Sequence, residues 1–273
     1  DFEILLDNTA LVASALETLS VPALVADTWT YVRVALANPE LDTAIISNGI
    51  YLDDNLIDSL MLCRWVGVSV DSFKPSVYQE VRGTDDCARV YTNISKMVKK
   101  RTRTDIAVKC LVLPQTVDSL LFTCQKAKDL GVQDFHVRPV DLERKDFKTG
   151  QALNLDIPKV QRIFEQCHEL ETPEFHVYTV VHKYDENFHV KHDFKRCMAS
   201  PLVIQKCTDK RGYVCVDHRL EERFLLPEWG SDAHRELLLG INPAKECGRC
   251  TWSEYNKQIS EVVIGDRMCR DFP

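Results

Sequence analysis

The sequence has no uninterrupted apolar run of about 18 residues, so none of its segments is suited to crossing a bilayer as a helix, and no signal-peptide pattern opens it. It also lacks the positive balance of a general nucleic-acid binder: 34 Lys and Arg stand against 41 Asp and Glu, a formal charge of -7. The one dense basic run, Lys99-Lys100-Arg101-Thr-Arg103, falls where a helix is expected to end, and cations there complement the helix dipole in solvent. Internal repeats and low-complexity tracts are absent too, which excludes solenoids and compositionally biased linkers. These absences lead to the expectation of a cytoplasmic protein without membrane or nucleic-acid partners. Its 273 residues and hydrophobic fraction of 45% suffice for one large packed domain and a smaller appendage.

Cysteine is plentiful. Eleven is an odd number, which resists complete disulfide pairing, so metal ligation and burial are the better explanations. Cys197, Cys215, Cys247 and Cys250 form the pattern of interest: a CxxC pair preceded by two single cysteines can bring four thiolates to one soft metal centre. Zinc uses the same thiolates at the same local spacing, and Cys207 could take the place of Cys197. Cys87, Cys124 and Cys167 fall on apolar helix stripes and Cys110 on the apolar face of a strand, and all four are expected in the core. His189-x-x-His192, with His182 nearby, reads as a solvated connection.

Residues 1–40 carry little signal beyond a short strand near residue 2 and two helical stretches. From Thr43 the chain alternates. Strands are expected over 43–47, 65–70, 106–113, 135–140 and 175–181, with helices over 53–63, from Pro75, over 85–100, 117–130 and 157–170 between them. Such alternation gives a parallel sheet with right-handed crossovers, either doubly wound or part of a barrel. Polar residues gather at the carboxyl ends of these strands: Asn48, Ser69 and Asp71, Lys109, and His136 with Arg138. Strands of a parallel sheet are commonly covered on both faces, so these positions point to a ligand site at the strand ends. After residue 182 short strands at 202–206 and 213–216, a turn at 227–230 and the cysteines replace the alternation, and Trp252, Tyr255 and Ile259 read as a helix face packing the metal site.

Taken in order, Ile46-Ser-Asn-Gly49, Val68-Ser-Val-Asp71, Tyr78-Gln-Glu-Val-Arg-Gly83, Asn93-Ile94, Val108-Lys-Cys-Leu-Val-Leu-Pro114, Leu130-Gly-Val and Val137-Arg-Pro139 resemble consecutive strands and helices of radical S-adenosylmethionine (radical SAM) enzymes. Cys197, Gly212-Tyr-Val-Cys215 and Cys247-Gly-Arg-Cys250-Thr-Trp-Ser-Glu-Tyr-Asn256 resemble that superfamily's SPASM extension, and having four ligands they are closer to its shorter, one-cluster "twitch" form. The resemblance implies an α/β fold: a partial (β/α)6 TIM-like barrel over residues 1–182, its first strands missing or degenerate, then a small α+β cysteine-rich domain over 183–273. It implies an auxiliary 4Fe-4S cluster on Cys197, Cys215, Cys247 and Cys250, and S-adenosylmethionine bound through Ser69 and Asp71 with Asn48, Lys109 and Arg138. It also implies a peptide or small-molecule substrate and an electron donor such as a flavodoxin or ferredoxin.

The sequence departs from the family pattern in two respects. No CxxxCxxC triplet occurs, and where a Gly-Gly-Glu segment is expected the chain reads Val21-Pro-Ala-Leu-Val-Ala-Asp27. The expectation is therefore a truncated or degenerate copy, inactive alone. The alternative is a non-catalytic module stabilised by zinc or an iron-sulfur centre.

Overall fold

The computed structural model describes residues 42–139, 155–180 and 194–263, except for positions 208, 210, 248 and 249. The expectations for residues 1–40, for the three histidines between 182 and 192 and for Cys269 lie outside the described residues. The chain divides into two compact units, Asp1–Asp185 and Glu186–Pro273.

In the first unit strands and helices alternate as β1 (Ala44–Ser47), α1 (Asp54–Leu60), β2 (Trp65–Ser69), α2 (Pro75–Arg82), α3 (Cys87–Lys100), β3 (Asp105–Val112), α4 (Leu120–Leu130), β4 (Asp134–Pro139), α5 (Ile157–His168) and β5 (His176–Thr179). The five strands are all parallel, and their spatial order is their chain order. A doubly wound sheet reverses its strand order partway and carries helices on both faces. Here each crossover steps to the next position in the same direction, which is the winding of a (β/α) barrel.

Local chemistry sets the element ends. Asp53 caps α1 by accepting from the Leu56 N–H at 2.8 Å, and Asp156 caps α5 by accepting from Lys159 N–H at 3.0 Å. Pro75 opens α2, where its missing N–H costs nothing, and Gly131 closes α4 at φ 82°, a conformation with little penalty only for glycine. The expected helix over 117–130 begins with a tighter 3-10 turn, Val117–Ser119, because Thr116 satisfies the local backbone with its own hydroxyl, bonding the Leu113 N–H and the Leu111 carbonyl.

The burial pattern along the strands alternates more sharply than a sheet covered on both faces requires. On one face Val66, Val68, Ile106, Val108, Phe135 and Val137 are sealed, packed with Ile57 and Leu60 of α1, Ile94 and Met97 of α3, Leu120 of α4 and Phe164 of α5. Each such side chain contributes about 1.5–3 kcal/mol by leaving water. The opposite face is partly open along most of its length: Ile46, Arg138 and Tyr178 are exposed and Ser69, Lys109 and His136 half-buried. The assumption of two covered faces therefore does not hold. Polar residues are found on the strands because one face borders a cavity. Cys63, Cys87, Cys110, Cys124 and Cys167 all lie in the packed layer, and burial pushes the Cys63 thiol up to about 11.

The second unit contains a two-stranded antiparallel pair, β6 (Gln205–Lys206) and β7 (Gly212–Tyr213), then α6 (Asp232–Gly240), α7 (Pro243–Glu246) and α8 (Ser253–Val263). The strand expected over 202–206 is shortened, because Ser200–Leu202 turn as a 3-10 helix around Pro201, whose ring lacks the ladder donor. The strand expected over 213–216 ends early because Cys215 starts another 3-10 turn, Val216–His218. Of the face expected to pack the metal site, Trp252 borders the cysteine cavity and Ile259 of α8 is half-buried, whereas Tyr255 is exposed and Asn256 beside it is buried.

Candidate functional site

At the carboxyl ends of the strands the first unit forms a cavity of about 200 Å³, bordered by Ser69, Asp71, Lys109, His136, Arg138 and Tyr178 among others. Strand register explains the convergence. Ser69 pairs with Lys109, Lys109 with His136, and His136 with Tyr178, so one row across four strands points to the same side. Leu111 pairs with Arg138 one step nearer the strand ends, which sets Arg138 above the row.

Lys109 is held by its surroundings. Its ammonium lies 5.2 Å from the Trp65 ring centroid, and that ring crosses Gly67, where an added Cβ would come within 2.3 Å of Trp65 and 2.7 Å of the Lys109 stem. Gly67 is thus a place of close approach. The Trp65 indole N–H donates to Asp134 Oδ2 at 3.0 Å, so this carboxylate is occupied below the row. Burial, then the nearby Arg138 guanidinium, holds the Lys109 ammonium below its ordinary range.

His136 is clamped between the Trp65 ring, with centroids 5.5 Å apart, and the Tyr178 ring at 4.7 Å. Burial, reinforced by Lys109 and Arg138, depresses its titration to about 4, so the ring is neutral near pH 7. Its Nε2 is buried without a hydrogen-bond partner, with Asp134 Oδ2 at 3.9 Å. Lys109 and Arg138 have no carboxylate partner among the described residues.

Ser69, Lys109 and Arg138 meet at this cavity, and so does Asp71, but the Asp71 oxygens are already engaged. One accepts from the Leu111 N–H at 2.8 Å and the other pairs with Arg82 at 2.7 Å, with the residue only 3% exposed. Asn48 stands apart on the turn after β1, its Oδ1 accepting from the Ile50 N–H at 3.1 Å, and does not border the cavity. Sequence reasoning missed Trp65, Arg82 and Tyr178 as site residues and left His136 outside the binding set. The register of Tyr178 against His136 was available only once pairing was known, whereas Gly67 beside Trp65 was a visible sign of close approach.

In the second unit Cys197, Cys215, Cys247 and Cys250 border one small cavity, and Cys207 does not. Cys207 sits instead at the β6–β7 hairpin, its N–H bonded to the Arg211 carbonyl. Burial, and secondarily the other sulfurs, pushes the Cys247 thiol up to about 12, and burial holds Cys215 and Cys250 at about 11. Each of these three sulfurs is approached by a nitrogen: Asp217 N–H donates to Cys215 Sγ at 3.4 Å, Asn256 Nδ2 to Cys250 Sγ at 3.5 Å, and His218 Nε2 lies 3.3 Å from Cys247 Sγ.

Those nitrogens are themselves anchored. His218 stacks on Phe224 at 3.7 Å and meets Glu221 through Nδ1, while the Asn256 side-chain Oδ1 accepts from the Met198 and Ala199 N–H groups. Among the described residues no three His, Cys, Asp or Glu side chains draw together at ligating separations. The chemistry of the donor set nevertheless fits a soft metal centre: four thiols share one pocket, and N–H donors are aimed at their sulfurs, which stabilises thiolates.

No protein-family model matches the chain, and no curated protein sequence matches it. Solved structures do. The structure of Streptococcus suis SuiB superposes with a TM-score of 0.55 at 10% identity, covering 76% of this chain and 52% of that one. The form of Streptococcus suis SuiB bound to S-adenosylmethionine gives 0.56 at 10% identity, over 76% and 51%. The chain thus spans about half the length of the structures it matches, and what it shares with them is the fold.

Proposed function

We propose that this chain is a radical SAM-type protein whose strand-end cavity receives S-adenosylmethionine and whose four cysteines hold an auxiliary 4Fe-4S cluster. The observation that carries the reading is the row Ser69, Lys109, His136, with Arg138 above it, set at the carboxyl ends of a parallel sheet wound as a barrel. Barrels of this winding build their sites at that end. Fold similarity to a protein solved with S-adenosylmethionine, and the ordered motifs of the sequence, support the same reading.

The residues divide the work by chemistry. The Ser69 hydroxyl, the Lys109 ammonium and the Arg138 guanidinium supply donors for carboxylate and ribose oxygens, Trp65 and Tyr178 supply apolar surface, and Asp71 with Arg82 holds the end of β2 against β3 and α2. With an electron from a catalytic cluster, bound S-adenosylmethionine would supply hydrogen-abstraction chemistry toward a peptide or small-molecule substrate. Cys197, Cys215, Cys247 and Cys250 would hold a cluster that passes electrons or meets substrate, with a flavodoxin or ferredoxin as external donor. The sequence contains no CxxxCxxC triplet for a catalytic cluster, so the chain by itself is expected to bind and position without running the radical reaction.

A second reading is a non-catalytic metal-stabilised module. Its support is the second unit's small core, in which Cys197 and Cys215 pack on Val214, Phe224 and Ile241. Calorimetric titration with S-adenosylmethionine tests the first reading: binding that Lys109→Gln weakens about tenfold is expected, and no heat with the wild-type chain sinks it. Anaerobic reconstitution tests the metal. Iron and sulfide with absorbance near 400 nm, both lost in Cys247→Ala/Cys250→Ala, are expected; a colourless protein holding one zinc favours the second reading.

A further inference from the structure

The strand-end cavity carries more positive charge than the proposed cofactor can satisfy. Among the described residues three cations border it, Arg82, Lys109 and Arg138, against the single carboxylate Asp71, which Arg82 already neutralises. Lys109 and Arg138 stand unpaired among the described residues, Arg138 close enough to disfavour the charge on Lys109. This surplus is local, since the chain as a whole carries -7. A half-buried Lys109 beside the exposed Arg138 repels a like charge across a concave space, and an anion between them relieves that repulsion.

S-adenosylmethionine does not supply enough negative charge. Its ammonium and sulfonium outweigh its one carboxylate, so its arrival adds net positive charge to a space that already has an excess. The His136 ring borders the same cavity and so reports on its contents, although its Nε2 is buried 3.9 Å from Asp134 Oδ2.

We propose that the pair Lys109 and Arg138, whose two charges the cofactor's single carboxylate leaves in excess, also receives an oxyanion group, carboxylate or phosphate, of a second ligand, making that ligand acidic. The proposal rests on the cavity reading above for the word "second"; the anion subsite itself stands on the charge arrangement alone. Ser69, next to Lys109 in the row, adds a hydroxyl donor, and the Tyr178 ring walls the far side.

The test uses the full chain and three probes: N-acetylglutamate amide, its uncharged glutamine counterpart, and inorganic phosphate. Binding is read from the His136 ring resonances by NMR and from calorimetry. The expected result is that one anion binds, the glutamine derivative does not, and the titration of His136 moves up from about 4 in the complex. Besides the bound anion, the charged or titrating groups facing that ring are Lys109, Arg138, Asp134 and Tyr178.

Binding by the glutamate derivative assigns a carboxylate ligand, and binding by phosphate alone assigns a phosphorylated one. Lys109→Gln and Arg138→Gln should each weaken the anion about tenfold or more, while Lys109→Arg retains it. Unmoved His136 resonances with both anions, or unchanged affinity in the two glutamine variants, would overturn the subsite. S-adenosylmethionine is titrated separately: anion binding without it sinks the cofactor reading and leaves the subsite, and the reverse result sinks the subsite alone.

Discussion

Asp71 adopts φ 63°, a left-handed conformation uncommon outside glycine, with its side chain buried. Local strain and a desolvated carboxylate are both offset by the Leu111 N–H and the Arg82 guanidinium, so removing the carboxylate leaves Arg82 without its partner. Asp71→Ala is expected to cost about 3 kcal/mol in urea unfolding, and Asp71→Asn less, since asparagine tolerates this conformation and can still accept from Leu111. His136 predicts a pH dependence. Its folded titration near 4 lies below the ordinary 6.5, so between these values the unfolded chain takes up a proton that the folded ring refuses. Stability from this group is full above about 6.5 and is lost as pH falls toward 4. With side-chain exposure of 30% reducing the effect, the loss is about 1–2 kcal/mol. Urea titrations of wild type and His136→Phe at pH 7 and pH 4.5 should differ by that amount, and equal pH slopes would show that the ring is not held neutral.

At the scale of elements, the described part of the first unit was largely legible in the sequence. Apolar periodicity located all five strands and the helices between them to within a few residues, because each helix buries one stripe against one sheet face. The direction of winding was not legible: periodicity does not say whether the next strand adds to the left or the right, and only the pairing excluded the doubly wound alternative. The cysteine set was likewise readable from spacing, whereas His218, Asn256 and Asp217 behind it were not, since nothing local marks a histidine that will meet a thiol 29 positions away. Nor was the spent state of Asp71, because its partners lie 11 and 40 residues along. Asn93 shows how one side chain links elements. From the buried face of α3 its amide donates to the Gly49 and Ile50 carbonyls at 2.9 and 3.1 Å, tying the turn after β1 to the helix layer. Gly49, at φ 74°, leaves no room for a Cβ, which would stand 2.7 Å from Val68. Asn93→Leu should destabilise by about 1–3 kcal/mol and raise amide exchange at residues 49–50 first; unchanged exchange there would count against this linkage.

Across the whole molecule the two units differ in what holds them. The first has a broad apolar layer, while among the described residues of the second only Val214, Phe224 and Ile241 form the buried apolar cluster, with two of the proposed ligands packed on it. A unit with so small a core needs a staple. Removal of metal by a chelator under anaerobic conditions is expected to abolish protection from proteolysis in the second unit and leave the first unit's cooperative melt in place; equal protection with and without metal would count against a structural centre. The sheet of the first unit has another consequence, for biosynthesis. Because, among the described residues, each of β2 to β5 pairs with the strand made just before it, none of these has to wait for a later segment of chain to find that neighbour. Each pairing closes over only one βα step rather than over the whole unit, so each step can dock as it leaves the ribosome onto an edge that already exists.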